Sequence, residues 1–237
     1  MSAPSEWKHL HVERSPSGVV TVLLDNPPLN ILTRATRREL LRVVEGLAGD
    51  PTARAVVLAG AGHRAFSVGS DVREFPDDMD AARARERARD EHHLANALEG
   101  LPVPTIAALE GLVLGGGLEL ALCCDVRVAG ESAELGLPEI DLGVFPCGGG
   151  TERLPRLLGP ALAKELCYTG RRLTAAEAHR LGLVNRVVPT GAALSSARQL
   201  AETLAEKPAL ALQAIKRLVD AAWQRSIEEQ LPAVAEW

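Results

Sequence analysis

The stretch TIAALEGLVLGGGLELALCCDVRVA, residues 105–129, holds a strand, a glycine junction, a helix and a second strand in turn. TIAAL (Thr105–Leu109) is continuously apolar but for its first residue, the pattern of a strand buried on both faces. DVRVA, residues 125–129, reads as the next strand. Between them, Gly115, Gly116 and Gly117 precede LELAL, and the pattern predicts a helix over Gly116–Leu122. Two strands joined through a helix form a parallel pair with a crossover connection.

The same alternation extends upstream. RAVVLAG, residues 54–60, is apolar, β-branched and closed by glycine, and reads as another buried parallel strand. A helix is expected over residues 78–98, between this strand and the one at Thr105. Two short strands open the chain at residues 9–14 and 19–25, with Pro16, Ser17 and Gly18 turning between them. NPPLN, residues 26–30, stops the second of these, because neither Pro27 nor Pro28 can donate to a ladder. A helix follows over residues 33–48, capped by Thr33, with an apolar face of Leu40, Val43, Val44 and Leu47. Downstream of about residue 159 the strand signal fades. Residues 160–168, 175–181, 192–205 and 208–222 read as helices, interrupted only by RVV (Arg186–Val188). The fold class is α/β with a parallel sheet, followed by a mostly helical part that begins near residue 170.

Composition narrows the function. The chain has 237 residues, 46% hydrophobic and 24% charged, enough to bury a core without disulfide staples. Aromatics are only 3%, so Leu, Val and Ala must fill that core. A net charge of -5 offers nucleic acid or an anionic membrane no long-range attraction, so any positive potential for an anionic ligand must be local. The four cysteines (Cys123, Cys124, Cys147 and Cys167) form no CxxC pair, and none of the six histidines has metal-ligand spacing. Buried thiols and no metal site are expected. The opening MSAPSEWKHLHVERS lacks an apolar signal segment, and no stretch is long enough to span a bilayer. The expectation is a cytoplasmic location. Arg83, Arg85, Arg87 and Arg89 alternate with Ala, Glu and Ala, are diluted by Asp80, Glu86, Asp90 and Glu91, and read as a solvated helix face.

Chemistry is expected at two glycine junctions, AFSVGSD (residues 65–71) and GLVLGGGLEL (residues 111–120), each following a strand. Three glycines at a helix start let a backbone pass close to a ligand with its N–H groups outward. The helix N-terminus favours negative charge there, permanent or developing. No GxGxxG or GxxxxGK[ST] pattern is present, and Glu119 follows Gly116 by three residues, where it would repel a phosphate. A carboxylate suits a neutral carbonyl that becomes an oxyanion. Residues three apart on a helix lie roughly 5–6 Å apart at Cβ, so the Gly116 amide and the Glu119 side chain can serve one small ligand. A second carboxylate, Glu139, follows Pro138 in an apolar, glycine-rich segment. Two readings of Glu139 stand side by side: a buried carboxyl whose raised pKa suits proton transfer, or a helix-start residue satisfying backbone amides. Ser67 and Ser70 form no GxSxG elbow, and a serine-hydrolase triad has no support.

Together NPPLN, AFSVGSDVRE, GLVLGGGLELALCCDVRVA, PEIDLG, GGGTERLPRLLG and AAEAHRLGLVNRVV resemble the crotonase (enoyl-CoA hydratase/isomerase) superfamily, from about residue 10 to 225. The resemblance implies a spiral of ββα repeats over residues 1–170 that carries the acyl-CoA site. It also implies a helical region over residues 171–237 used in forming a homotrimer or a dimer of trimers. It implies an oxyanion hole from the backbone N–H groups of Ser70 and Gly116, with the Ser70 hydroxyl incidental. Glu119 is expected to activate water and Glu139 to supply a proton, giving reversible hydration of a trans-2-enoyl-CoA. No cofactor is implied beyond the coenzyme A carried by the substrate. Arg64, Ala65 and Val68 are the expected CoA contacts, and residues 77–100 are expected to shape the acyl pocket. A 3,2-enoyl-CoA isomerase or another acyl-CoA lyase of this type is the alternative. A CoA- or RNA-binding protein without catalysis stands behind both.

Two departures from the family pattern stand out. Cys147, in FPCGGG, occupies a place where hydratases have glycine and dienoyl isomerases aspartate. It is expected to line the pocket without acting as a nucleophile, since no histidine activates it. Family members also continue through one or two helices beyond Leu231 to Trp237, the last residues here. That difference puts the usual trimer contacts in question and is expected to leave apolar surface exposed.

Overall fold

A computed structural model describes residues 7–74 and 81–234. Strands β1 (Leu10–Arg14) and β2 (Val19–Leu24) pair antiparallel, with Leu10 opposite Leu24. Gly18 turns the chain between them at φ +88°. Helix α1 (Arg34–Ala48) starts where the sequence predicts: Thr33 accepts from the Thr36 amide at 3.1 Å. It buries Leu40, Val43, Val44 and Leu47, each worth roughly 1.5–3 kcal/mol.

Three ββα units follow. The first is β3 (Ala55–Gly60), β4 (Ala65–Ser67) and α2 (Ala81–Glu99). Residues 78–80 of the helix expected over 78–98 lie outside the described residues. The second unit is β5 (Thr105–Leu109), β6 (Leu112–Leu114) and α3 (Gly116–Leu122). The third is β7 (Val126–Gly130), β8 (Glu134–Gly136) and, after a 3₁₀ turn at Pro138–Leu142, α4 (Gly150–Leu158). The first strand of each unit joins one sheet and the second joins another. The large sheet has the order β1-β2-β3-β5-β7-β10, and the small one β4-β6-β8-β9. Every pairing from β2 through β3, β5 and β7 to β10 is parallel, as the crossovers require.

The rest of the chain is α5 (Pro160–Thr169), β9 (Leu173–Thr174), α6 (Ala175–Arg180), β10 (Arg186–Val188), α7 (Ala193–Ala205), α8 (Ala209–Ala221) and α9 (Ile227–Val234). The main-sheet strands fall within one residue of their predicted limits. The small sheet was not foreseen from the sequence, nor were α4 and α9. Strands of two or three residues show no period to detect, and Pro155 and Pro232 interrupt the two helical patterns.

Residues after 170 are anchored on this frame. β10 extends the large sheet beside β7. Ala193, Ala197 and Ala201 on α7, all fully buried, let that helix lie close on Val19, Ala55, Val57 and Ile106. Its first amide, at Ala193, donates to the buried Glu110 carboxylate at 3.0 Å. Buried Arg127 donates from Nε to the Leu183 carbonyl at 2.7 Å. α8, α9 and the turn between them present apolar side chains outward: Ile215, Val219, Trp223, Leu231 and Val234 are exposed.

Candidate active site

Two loops, residues 67–70 and 115–117, meet at the edge of the small sheet. Their separation is set by glycine. A Cβ on Gly69, at φ +87°, would lie 2.7 Å from the Gly116 nitrogen; one on Gly117 would lie 2.3 Å from the Ser67 carbonyl oxygen. No other residue permits so close a backbone approach. Ser67 fixes the first loop from within: its hydroxyl donates to the Asn30 carbonyl at 2.7 Å and accepts from the Gly69 amide at 3.1 Å.

Ser70 forms a parallel bridge with Leu32 in which the Leu32 amide donates to the Gly69 carbonyl at 2.8 Å. In such a bridge the ladder uses the groups flanking Ser70, so the Ser70 amide points the other way. Gly116 is the first residue of α3, and its amide has no acceptor within the helix. Both residues line one cavity of about 320 Å³.

Glu119 and Glu139 line the same cavity. Glu119 is buried, and its Oε1 accepts from the Gly150 amide at 2.9 Å. Gly148 and Gly150 leave room for it: a Cβ on Gly148 would stand 2.6 Å from Glu119 Oε2. Burial raises the Glu119 pKa to about 8 against the pull of the Gly150 and Gly148 amides, with Glu139 and Glu91 adding repulsion. Glu139 leaves the 3₁₀ turn with Oε2 buried and unpartnered. Burial, reinforced by the Glu91 charge, raises its pKa to about 7. A hydrogen bond from its own backbone amide pulls the other way, so the carboxyl also serves the start of its turn. Carboxyls raised into the neutral range can both give and take protons.

A third carboxylate went unrecognised in the sequence. Glu91 of α2, read there as part of a solvated face, has only 9% of its side chain exposed and reaches the cavity. Its Oε1 lies 3.1 Å from Arg37 Nη2 and 3.1 Å from Arg87 Nη2, and its Oε2 accepts from the Cys147 thiol at 3.1 Å. Arg87, 13% exposed, therefore departs from Arg83, Arg85 and Arg89, which are exposed as the charge pattern predicts. The available signal was the four-residue spacing of Arg87 and Glu91. Arg37, one turn into α1, gave none. It also donates to the Ser70 hydroxyl, which is thus tied down instead of incidental. Cys147 lines the cavity, with its thiol pKa pushed up to about 12 by burial and Glu91. At that value it stays protonated and is a poor nucleophile.

The residues expected to meet coenzyme A are more scattered. Arg64 is exposed, and its carbonyl accepts from the Leu112 amide at 3.1 Å. Ala65 is buried in β4, and its carbonyl accepts from the Asn30 side chain at 2.8 Å. Val68 lines the cavity, but its amide already donates to the Leu29 carbonyl at 3.2 Å. Among the described residues no cluster of His, Cys, Asp or Glu could hold a metal ion, and no helix is long and apolar enough to cross a membrane.

Known proteins resemble this chain in sequence and in fold. The family model for enoyl-CoA hydratase/isomerase matches residues 14–236. The crotonyl-CoA hydratase of Syntrophomonas wolfei is 36% identical over 219 residues, covering 92% of this chain and 84% of that protein. The probable mitochondrial enoyl-CoA hydratase 2 of Arabidopsis thaliana is 38% identical over 221 residues, covering 92% of this chain and 73% of that one. The crystal structure of an enoyl-CoA hydratase from Bacillus anthracis superposes with a TM-score of 0.90 at 37% identity, covering 97% of this chain and 89% of that one. A paired glycine junction, two neutral-range carboxyls and matches along almost the whole length lead to one conclusion: this chain belongs to the enoyl-CoA hydratase/isomerase family.

Proposed function

We propose that the protein is an enoyl-CoA hydratase, adding water reversibly to a trans-2-enoyl-CoA. The observation that carries this reading is the convergence of two outward amides and two proton-carrying carboxyls on one cavity. The thioester oxygen accepts from the Ser70 and Gly116 amides. Negative charge grows on that oxygen as water adds to Cβ, and fixed donors stabilise it where it appears. Glu119 takes a proton from the water as its oxygen bonds to Cβ. Glu139 gives a proton to Cα as the enolate collapses to the thioester. Hydration thus leaves Glu119 protonated and Glu139 ionised, and dehydration returns both to their starting forms. Deeper burial raises the pKa of Glu119 further than that of Glu139. Arg64 and the backbone about Ala65 and Val68 are the groups assigned to coenzyme A, which arrives with the substrate; no separate cofactor takes part.

An isomerase needs one positioned base and no activated water. Hydratase is favoured because Glu119 is held by the Gly150 amide inside the same cavity as Glu139. Purified protein given crotonyl-CoA is expected to bleach the enoyl-thioester absorbance. Glu119→Gln and Glu139→Gln should each cut kcat by roughly 10²–10⁴-fold. Loss of hydration in Glu119→Gln with 3,2-isomerisation retained would assign the protein to the isomerases instead.

Burial of Glu119 also sets a pH dependence of folding. Its folded pKa, about 8, lies above its unfolded value, so its stabilising contribution is complete below the unfolded pKa and is lost as pH rises through about 8. The loss amounts to about 1.4 kcal/mol for each unit of difference. Urea unfolding should therefore find Glu119→Gln more stable than the native protein at about pH 9, with the advantage gone near pH 4.

We also infer self-association, as a trimer or a dimer of trimers. Its support is the exposed apolar row of Ile215 and Val219 on α8 with Trp223 just after it, together with Leu142 and Phe145 by the cavity. Sedimentation is expected to give three or six chains; a monomer at micromolar concentration would refute the inference.

A further inference from the structure

The cavity of about 320 Å³ does not end at Glu119. Glu119 and Gly116 also face a neck of about 20 Å³ whose other walls include Leu32, Leu94, Ala95 and Leu120. The neck runs up to Arg37 and Glu91. Beyond them, among the described residues, lies a space of about 890 Å³ between α1 and α2. Glu91 borders all three spaces, and the Arg37–Glu91–Arg87 cluster stands between the first and the last.

We propose that the Arg37–Glu91–Arg87 cluster is a partition that fixes acyl-chain length, restricting the enzyme to short enoyl groups. The proposal rests on the hydratase reading, which sets the direction of the chain. With the thioester oxygen at the Ser70 and Gly116 amides and Cβ beside Glu119, carbons past Cβ continue toward the mouth of the neck. The neck can hold one water molecule but no hydrocarbon chain. Leu32, Leu94, Ala95 and Leu120 make its sides apolar, so it is the Arg37–Glu91 pair at its far end that turns a longer chain away.

The partition is held from four directions. Arg37 comes from α1, Arg87 and Glu91 from α2, Cys147 from the loop before α4, and Ser70 from the oxyanion-binding loop. Admitting methylenes requires Glu91 to leave two guanidinium groups and a thiol, with buried charge left unpaired. The same contacts link the site: Arg37 fixes the loop that presents the Ser70 amide, and Glu91 fixes Cys147 beside the Gly148–Gly150 segment that cradles Glu119. Glu91 and Arg37 are therefore positioning residues as well as a wall.

Two ligand pairs test the proposal on the full chain: crotonyl-CoA against trans-2-decenoyl-CoA for turnover, and butyryl-CoA against decanoyl-CoA for binding by calorimetry. The native protein is expected to show kcat/KM for the decenoyl substrate at least about 100-fold below that for crotonyl-CoA. It should bind decanoyl-CoA no more tightly than butyryl-CoA. In Arg37→Leu with Glu91→Leu, the ratio of decenoyl to crotonyl kcat/KM should rise at least about tenfold, through KM. Glu91→Gln, which keeps the bulk of the wall, should leave that ratio near the native one. A loss of stability alone lowers both activities and does not move their ratio. Equal use of both substrates by the native protein overturns the proposal, and so does an unchanged ratio in a folded double variant. If no enoyl-CoA is hydrated, the hydratase reading fails, and the calorimetric comparison still decides whether the wall excludes long chains.

Discussion

The whole arrangement depends on one contact: the backbone of residues 67–70 lying against that of residues 115–117. A Cβ at Gly69 or Gly117 would collide with the facing main chain, at 2.7 Å and 2.3 Å. Each of these loops follows a strand of a different ββα unit, so the contact forms only after β3, β5 and their short partners are in register. The sheet thus brings residues about 45 apart in sequence to within van der Waals distance. It does so with Ser70 and Gly116 lining the same cavity, which no single helix or turn provides.

Charge around that space is arranged locally. The protein carries a net charge of -5, and the cavity is lined by three carboxyls and one guanidinium group, that of Arg87, with Arg37 paired to Glu91 behind it. Glu91 is paired with Arg37 and Arg87. Among the described residues Glu119 and Glu139 form no ion pair with a guanidinium group, and burial drives them toward the neutral range. The division of labour follows from pairing: the paired carboxylate holds structure, and the unpaired ones carry protons. Removing Arg37 or Arg87 would leave a third charge repelling both glutamates, so the cluster protects the proton-carrying pair as well as closing the cavity.

Much of this was legible in the sequence, for physical reasons. Fully buried parallel strands such as Ala55–Gly60 and Thr105–Leu109 announce themselves as apolar runs, and Thr33 marks its helix start by its capping hydroxyl. Consecutive glycines ahead of an apolar helix signal close backbone approach, and Glu119 falls three residues on, within reach of the same ligand. The small sheet escaped because Ala65–Ser67, Leu112–Leu114 and Glu134–Gly136 are too short for alternation to show. Arg37 and Glu91 escaped because they lie 54 positions apart on helices that look ordinarily amphipathic. Only the packing of α1 on α2 turns two surface-like residues into a buried pair. The Ser70 hydroxyl was misjudged for the same reason, since its partner is Arg37.

The central claim is that the Ser70 and Gly116 amides bind the same thioester oxygen. A crystal structure with acetoacetyl-CoA, whose enolate form mimics the charge that develops in hydration, tests it most directly. The account predicts the thioester oxygen within about 2.7–3.1 Å of both nitrogens, with Glu119 and Glu139 on the carbon side. A thioester oxygen bound to neither amide, with the acyl group outside the cavity, would contradict it.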